Sequence, residues 1–161
     1  LTPIDAKPGD LIEIDRGMYQ HWALYIGGME VVHLTTPSDS SGSSLMALDI
    51  DVGQVKREKI WEVVGNDNVK VNNLLDYKHQ PHESYIIVKE ACSMVGLELP
   101  YSTFTRNCEH FVTDLRYGKP ESRQVVICLL SIIMPPAGIR IVVLKGPQKI
   151  NVFKTHYPLT V

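Results

Sequence analysis

The chain has 161 residues, of which 44% are hydrophobic and 21% are charged. These values are ordinary for a soluble globular protein and exclude a wholly disordered or collagen-like chain, and the length allows one domain with a substantial core. Sixteen basic and eighteen acidic residues give a formal net charge of −2. That balance argues against nucleic acid as the main partner, because proteins that bind duplexes usually carry a basic surface.

The charges are distributed unevenly along the chain. Residues 1–124 contain every acidic side chain, whereas residues 125–161 contain four basic side chains and no acidic one. We therefore divide the chain into a body, residues 1–124, and an apolar, basic tail, residues 125–161. Such a tail predicts attraction to an anionic membrane surface. The alternative is a tail that packs on the domain, with its lysines merely solvated.

The cysteine content favours a reducing, cytoplasmic compartment. Three cysteines is an odd number, and none lies in a CxxC or a Cys/His zinc spacing, so a disulfide framework is not expected. The first ten residues are polar, and no secretory signal peptide is predicted there.

The predicted elements begin with strands. Lys7-Pro8-Gly9-Asp10 indicates a turn, and residues 11–14 a short strand after it. Residues 21–26 and 31–35 are rich in aromatic and β-branched side chains and predict a β-hairpin around Gly27-Gly28-Met29. Further strands are predicted over residues 54–64 and 69–73, with turn-forming residues between them.

Two helices follow the strands. The first is predicted over residues 83–95, which carry an apolar stripe that includes Ile87, Ala91 and Met94. The second is predicted over about residues 107–117, with Asn107 or Thr105 as the candidate N-cap. Strands first and helices later, without βαβ alternation, predict an α+β fold with a mainly antiparallel sheet.

Residues 125–144 form an apolar stretch whose only charge is Arg140. Twenty such residues could cross a bilayer, but Pro135-Pro136 interrupts them and neither piece is long enough alone. We expect an interfacial or re-entrant hairpin, or a packed terminal element, rather than a transmembrane helix.

Cys108 is the strongest candidate for a nucleophile. It falls in the first turn of the second predicted helix, on the same side as Phe111, Val112 and Leu115, which is the side that should face the sheet. The positive end of the helix lowers the pKa of a thiol there, and the backbone N–H groups could stabilise an oxyanion. The alternative is a small buried hydrophobic side chain, which is what most free cysteines are.

Two histidines of the hairpin are candidate partners for the thiol. His110 is close in sequence but lies about 200° around the helix from Cys108, so it cannot face it. His21 and His33 share a face only if paired residue numbers sum to an even value, which requires a turn of odd length, such as residues 27–29, or a bulge. One imidazole could then take the thiol proton while the other orients it. Each could instead be a hydrogen-bonded structural histidine.

The remaining histidines and cysteines give weaker signals. His79 and His82 are expected to be exposed, and with Cys92 they match no recognised zinc spacing, so no metal is predicted. Cys92 is expected to pack in the first helix, and Cys128 in the tail could be acylated. No glycine-rich phosphate loop occurs, and no cofactor is predicted.

Four segments of the chain carry a family resemblance: PGDLIEI, YQHWALYIGG with VVHL, VVGNDNVKVNN, and above all RNCEHFVTDLRYGK. They resemble the lecithin:retinol acyltransferase-like proteins, in particular the phospholipase A and acyltransferase branch, the H-Ras-like suppressors. The resemblance covers about residues 8–125. It implies a permuted papain-like fold of the NlpC type, in which an antiparallel sheet packs against a helix that carries the nucleophilic cysteine.

The resemblance also implies roles for single residues. Cys108 of NCEHF would be the nucleophile, His21 of QHW the base and His33 of VHL the third, orienting member. Tyr19 and Asn107 are candidate oxyanion or supporting residues. The body would be the catalytic domain, without a metal or other cofactor.

The implied activity is that of a thiol phospholipase A1/A2 and acyltransferase on glycerophospholipids. The acyl chain would pass through a thioester to water, to the amine of phosphatidylethanolamine or to a lysophospholipid. A phospholipid membrane is the expected partner, nucleic acid is not, and no protein partner is predicted. We expect a cytoplasmic protein with peripheral or C-terminal membrane association. Transfer to retinol, a thiol peptidase or amidase activity, and a non-catalytic interaction protein of the growth-suppressor type are the alternatives.

Overall fold

The computed structural model describes residues 4–17, 19–36, 52–102 and 105–123, together with the backbone of residues 140–145 and 150–155. The chain divides into two compact units, Leu1–Gln124 and Val125–Val161. Most of the loop predicted after residue 35, Cys128 and the Pro135-Pro136 interruption lie outside the described residues.

An antiparallel sheet forms the centre of the first unit. Its strands, in the order β5-β1-β2-β3-β4-β6 across the sheet, each pair antiparallel with their neighbours. The predicted α+β class with an antiparallel sheet is therefore confirmed. The strands are β1 (Leu11–Asp15), β2 (Gln20–Gly27), β3 (Glu30–Thr35), β4 (Val52–Lys59), β5 (Asn68–Val71) and β6 (Glu98–Pro100).

Helices cover both faces of this sheet. They are α1 (Ile60–Val64), α2 (Ser84–Ser93) and α3 (Cys108–Tyr117). Because side chains alternate along a strand, each face has its own hydrophobic cluster. The cluster on the α2 and α3 side includes Leu11, Trp22, Leu24, Val32, Leu34, Val55, Ile87, Ala91, Phe111, Val112 and Leu115. The cluster on the α1 side includes Ile12, Ile14, Ala23, Tyr25, Val31, Ile60, Val63 and Val64.

The prediction of one strand over residues 54–64 is wrong in its second half. The strand ends at Lys59 and α1 follows at once. Ile60, Val63 and Val64 are buried together, a spacing of three and four residues that fits a helix. The backbone N–H of Lys59 donates to Oε2 of Glu62 at 3.3 Å, which caps the first turn. Apolar composition alone does not separate a short buried helix from a strand.

Strand β6 was not predicted. It follows α2 and pairs with β4 at the edge of the sheet, from Val52 opposite Pro100 to Gln54 opposite Glu98. Proline is tolerated there because an edge strand has an unpaired side where no N–H is needed. Helix α2 ends at Ser93, and the chain enters this strand at Glu98.

The two predicted main helices are confirmed, with shorter bounds for α2. Ile87 and Ala91 are fully buried on its inner side, as the apolar stripe predicts. Helix α3 begins after Asn107 as N-cap and ends before Gly118, whose φ of 65° is the left-handed conformation typical of a helix end.

The β2–β3 hairpin has the even register that the two histidines require. Leu24 lies opposite Val32 and Tyr25 opposite Val31, but Gly27 lies opposite Glu30. The extra residue is a bulge at position 26. Of the two predicted alternatives, the three-residue turn is therefore wrong and the bulge is confirmed. The turn itself is Gly28-Met29, with φ values of 61° and 60°, as in the type I′ turns that suit hairpins.

The second unit contains a separate hairpin. Strands β7 (Arg140–Lys145) and β8 (Ile150–Thr155) pair antiparallel, with Arg140 opposite Thr155 and Lys145 opposite Ile150. Among the residues that the structure describes, no helix is long and apolar enough to cross a membrane. The placement of residues 125–144 at a membrane interface stays a prediction.

The turn that sets the histidine register holds one residue in an unfavourable conformation. Met29 has a positive φ, which costs a residue with a side chain roughly 1–2 kcal/mol. We expect Met29→Gly to raise the free energy of unfolding by about 1 kcal/mol in urea denaturation. Gly28→Ala is the matched control: a Cβ at Gly28 meets nothing within 4 Å, so its loss of stability reports backbone strain alone. A loss of stability in Met29→Gly would show that the Met29 side chain outweighs the strain.

Candidate functional site

The beginning of α3 presents a thiol. Cys108 is the first residue of the helix and is 3% exposed. The Asn107 side-chain oxygen accepts the backbone N–H of His110 at 3.0 Å, and the backbone N–H of Asn107 donates to Nδ1 of His110 at 3.3 Å. These reciprocal bonds form a capping box that fixes the first turn. The predicted cap and the predicted place of Cys108 are both found.

His110 supports the helix rather than the thiol. Its Nδ1 lies 3.3 Å from the backbone nitrogen of Asn107 and 3.0 Å from the Asn107 Oδ1. Burial lowers the pKa of His110 below its ordinary value of 6.5, against a small opposing effect of Glu109. His110 therefore belongs to the capping box of α3.

The opposite end of α3 is anchored by a buried network. Arg116 donates to the carbonyl of Gly9 at 2.7 Å and to the Asp76 carboxylate. Partial burial alone would raise the pKa of Asp76, but hydrogen bonds from Arg116 and Tyr117 lower it. Burial and the bond to Asp76 raise the pKa of Tyr117 to about 12. The helix that carries Cys108 is thus held at both ends.

His21 and His33 form a direct pair. Nε2 of His21 lies 2.7 Å from Nδ1 of His33, and both side chains are buried. Their rings are perpendicular, at 87°, with centroids 5.0 Å apart. The shared face that the even register predicts is confirmed, because rings on opposite faces of the sheet could not make this contact.

A third side chain extends the pair. Nε2 of His33 lies 2.7 Å from Oε2 of Glu58 on β4. Glu58 was not predicted as a site residue. It pairs with Val31, two positions before His33, and therefore lies on the same face. Strands β3 and β4 are far apart in the sequence, so the sequence offered no way to align them.

The thiol lies where β2 begins. Sγ of Cys108 is 3.9 Å from the backbone carbonyl oxygen of Gln20, the residue directly before His21. Cys108 belongs to the cluster on the α3 side, whereas strand alternation assigns His21 to the face of Ala23 and Tyr25. Helix α3 nevertheless packs against β2 and β3, the hairpin that carries both histidines. The thiol lies beside the residue that precedes His21.

A cavity of about 380 Å³ opens beside the histidine pair. Tyr19, a candidate oxyanion residue, lines it together with His21, His33 and Glu58. Two cationic side chains, Arg16 and Lys56, contribute to its wall. Arg16 is held by the Asp67 carboxylate and the carbonyl of Val63. The cavity thus gives the imidazoles a polar, partly charged surrounding.

Asn107 uses both ends of its side chain at the start of α3. Besides the capping bond, its Nδ2 donates to the Ser122 hydroxyl at 3.2 Å, and that hydroxyl donates to the buried Glu109 carboxylate at 2.6 Å. The observed contacts are those of a cap. A role of Asn107 as an oxyanion donor stays a prediction.

Among the described residues, His79, His82 and Cys92 are not part of the cavity wall. His82 is exposed as predicted, but His79 is half-buried and bonds to Glu121 at 2.9 Å. Cys92 and Cys108 are free thiols. Within the described ranges, no group of three His, Cys, Asp or Glu side chains could hold a metal ion.

Removal of the cap should loosen the turn that carries the thiol. We expect Asn107→Ala to lower the free energy of unfolding by about 1 kcal/mol, measured in urea, because the N–H of His110 loses its acceptor. Asn107→Ser keeps a capping oxygen and should retain most of the stability. Glu83→Ala is the control, because Glu83 caps α2 without a side-chain hydrogen bond. Equal losses in Asn107→Ala and Glu83→Ala would contradict this account.

Comparison with known proteins assigns the chain to a family. The model of the family described as Lecithin retinol acyltransferase matches residues 4–121. Phospholipase A and acyltransferase 4 of Homo sapiens is 49% identical over 124 residues, covering 75% of this chain and 76% of that protein. Phospholipase A and acyltransferase 3 of Mus musculus is 46% identical over 129 residues, covering 78% and 80%.

A third relative extends further along the chain. Phospholipase A and acyltransferase 1 of Rattus norvegicus is 38% identical over 147 residues, covering 89% of this chain and 87% of that protein. The span of the family model contains the histidine pair and the thiol of α3. From the extent and level of these matches, the chain belongs to the lecithin retinol acyltransferase family.

Proposed function

We propose that this protein is a cysteine-dependent phospholipase A and acyltransferase that acts on glycerophospholipids. Its relatives at 46–49% identity are named phospholipase A and acyltransferase. The observation that carries the proposal is the 2.7 Å contact between His21 Nε2 and His33 Nδ1, made on the strand that begins beside Cys108. A buried imidazole pair next to a helix-start thiol is suited to nucleophilic catalysis.

The first half of the reaction acylates the cysteine. Nε2 of His21 is bonded to His33, so Nδ1 of His21 takes the proton of the Cys108 thiol. The thiolate attacks the ester carbonyl carbon of the lipid, and the bond from that carbon to the glycerol oxygen breaks. His21 returns the proton to the leaving oxygen. The products are a lysophospholipid and a thioester on Cys108.

The second half transfers the acyl chain. Water, the amine of phosphatidylethanolamine or a lysophospholipid hydroxyl gives a proton to His21 and attacks the thioester carbon. The carbon–sulfur bond breaks and the Cys108 thiolate is restored. Backbone N–H groups in the first turn of α3 stabilise the oxyanion, and Tyr19, which lines the cavity with His21, is a candidate to assist them.

The arrangement also supports a permuted papain-like fold of the NlpC type. The helix with the nucleophile packs on an antiparallel sheet, and both histidines precede the cysteine in the chain. Transfer to retinol, peptidase chemistry and a non-catalytic interaction role are not favoured over phospholipid acyl transfer, because the names of the relatives point to phospholipids.

The tail should bring the enzyme to its substrate. Residues 125–161 contain four basic side chains and no acidic one, so an anionic surface attracts them. We place the protein in the cytoplasm, with peripheral or C-terminal association with a phospholipid membrane.

Trapping the acyl-enzyme tests the reaction. The wild-type protein, incubated with phosphatidylcholine labelled in its acyl chains and quenched in acid, should carry label that hydroxylamine releases. Cys108→Ala should carry none, whereas Cys92→Ala, which removes the other free thiol of the described residues, should be labelled like wild type. Label that persists in Cys108→Ala would end the proposal.

The same assay separates the histidines. His21→Ala should slow acylation by about 10²- to 10⁴-fold, the usual contribution of a general base. His110→Gln should acylate at nearly the wild-type rate, because Gln preserves the capping box. Equal rates in His21→Ala and wild type would remove His21 from the role of base.

Charge reversal in the tail tests membrane association. In the full chain, Lys145→Glu with Lys149→Glu and Lys154→Glu should greatly reduce co-sedimentation with vesicles of phosphatidylserine and phosphatidylcholine. Binding of the wild-type protein should weaken with added salt, since screening shortens the reach of the attraction. Salt-insensitive binding that survives the triple substitution would contradict electrostatic association.

A further inference from the structure

We propose that Glu58 is a positioning residue of this site: its carboxylate decides which nitrogens of His33 and His21 carry protons and thereby leaves Nδ1 of His21 as the base. The proposal rests on the proposed function and adds a residue to its machinery. Glu58 acts through His33 and does not touch the reacting atoms.

The contacts form one continuous chain. Oε2 of Glu58 lies 2.7 Å from Nε2 of His33, and Nδ1 of His33 lies 2.7 Å from Nε2 of His21. The three residues come from three adjacent strands, β4, β3 and β2. The His33 side chain is only 4% exposed, and that of Glu58 is 36% exposed. In this series of hydrogen-bonded side chains, the carboxylate therefore lies at the solvent-exposed end and the imidazoles are buried.

Hydrogen-bond chemistry gives this chain a direction. An ionised carboxylate can only accept, so Nε2 of His33 must donate to Glu58. In a neutral imidazole the other nitrogen is then an acceptor, so Nδ1 of His33 must accept from Nε2–H of His21. Since His21 in its neutral form carries that single proton on Nε2, its Nδ1 is the basic nitrogen. This is the state that the acylation step requires.

Without the carboxylate the direction is no longer set. The pair alone satisfies the same 2.7 Å contact when Nδ1–H of His33 donates to Nε2 of His21. His21 then carries its proton on Nδ1 and cannot accept the thiol proton. Both arrangements have one hydrogen bond between the rings, so the bond to Glu58 is what distinguishes them.

A neighbouring carboxylate provides a comparison. Glu62 also lines the cavity, but its Oε2 accepts the backbone N–H of Lys59 at 3.3 Å. Glu62→Gln therefore removes the same charge from the same cavity wall and retains an acceptor for that capping bond. It is the matched control for Glu58→Gln, whose amide can donate as well as accept and so no longer imposes one direction.

The protonation pattern is measured in the full chain by ¹⁵N spectroscopy of the histidine rings, with signals assigned through His21→Gln and His33→Gln. We expect wild-type His33 and His21 each to carry a single proton, on Nε2, at the pH of the assay. Glu58→Gln should show a mixture of tautomers at both rings, and Glu62→Gln the wild-type pattern. A wild-type His33 that is protonated on Nδ1, alone or together with Nε2, overturns the proposal without any variant.

Kinetics supply the second measurement. With phosphatidylcholine as substrate, Glu58→Gln should lower kcat by about 10- to 100-fold, the loss typical when a group that orients a metal-binding histidine is removed, with KM within about twofold. Glu62→Gln should retain the wild-type kcat. An unchanged kcat or an unchanged tautomer pattern in Glu58→Gln overturns the proposal.

The two proposals fail separately. A wild-type protein that releases no fatty acid and forms no thioester refutes the proposed function, whatever the histidine spectra show. A wild-type protein that is active, together with a Glu58→Gln variant that is equally active, refutes only the role of Glu58.

Discussion

The hydrogen bond between His21 and His33 is the interaction on which the site depends. Two buried imidazoles at 2.7 Å require that both project from one face of the sheet. Since side chains alternate along a strand, a shift of one residue between β2 and β3 would separate them completely. The bulge at position 26 and the tight Gly28-Met29 turn therefore serve the chemistry as much as the fold.

Helix α3 supplies what the sheet cannot. Its first turn offers a thiol and backbone N–H groups at the positive end of the helix. Asn107 fixes that end through its capping bonds, while Arg116 ties the last turn to Gly9 and Asp76. A nucleophile held on a rigid helix and bases held on rigid strands meet the demand of acyl transfer for fixed geometry.

The thiol of α3 and the imidazoles of the sheet come together at the end of strand β2. Cys108 packs with the core on one side of the sheet, and the imidazoles belong to the other side, next to α1 and the cavity. The two sides meet at the beginning of β2, where the carbonyl oxygen of Gln20 contacts the thiol and the next residue, His21, carries the imidazole.

Local signals in the sequence determined much of this protein. The cap at Asn107 and the helical period of its apolar residues identified α3 and the thiol in its first turn. The period of two along a strand, together with the even separation of the two histidines, identified the hairpin as their common support. Tertiary structure decided the rest. Residues 60–64 form helix α1, which buries Ile60, Val63 and Val64 on one face. Their composition alone does not distinguish this helix from a strand. Glu58 joined His33 because β4 pairs with β3 after a long connection, and only the assembled sheet aligns residues so distant in the chain.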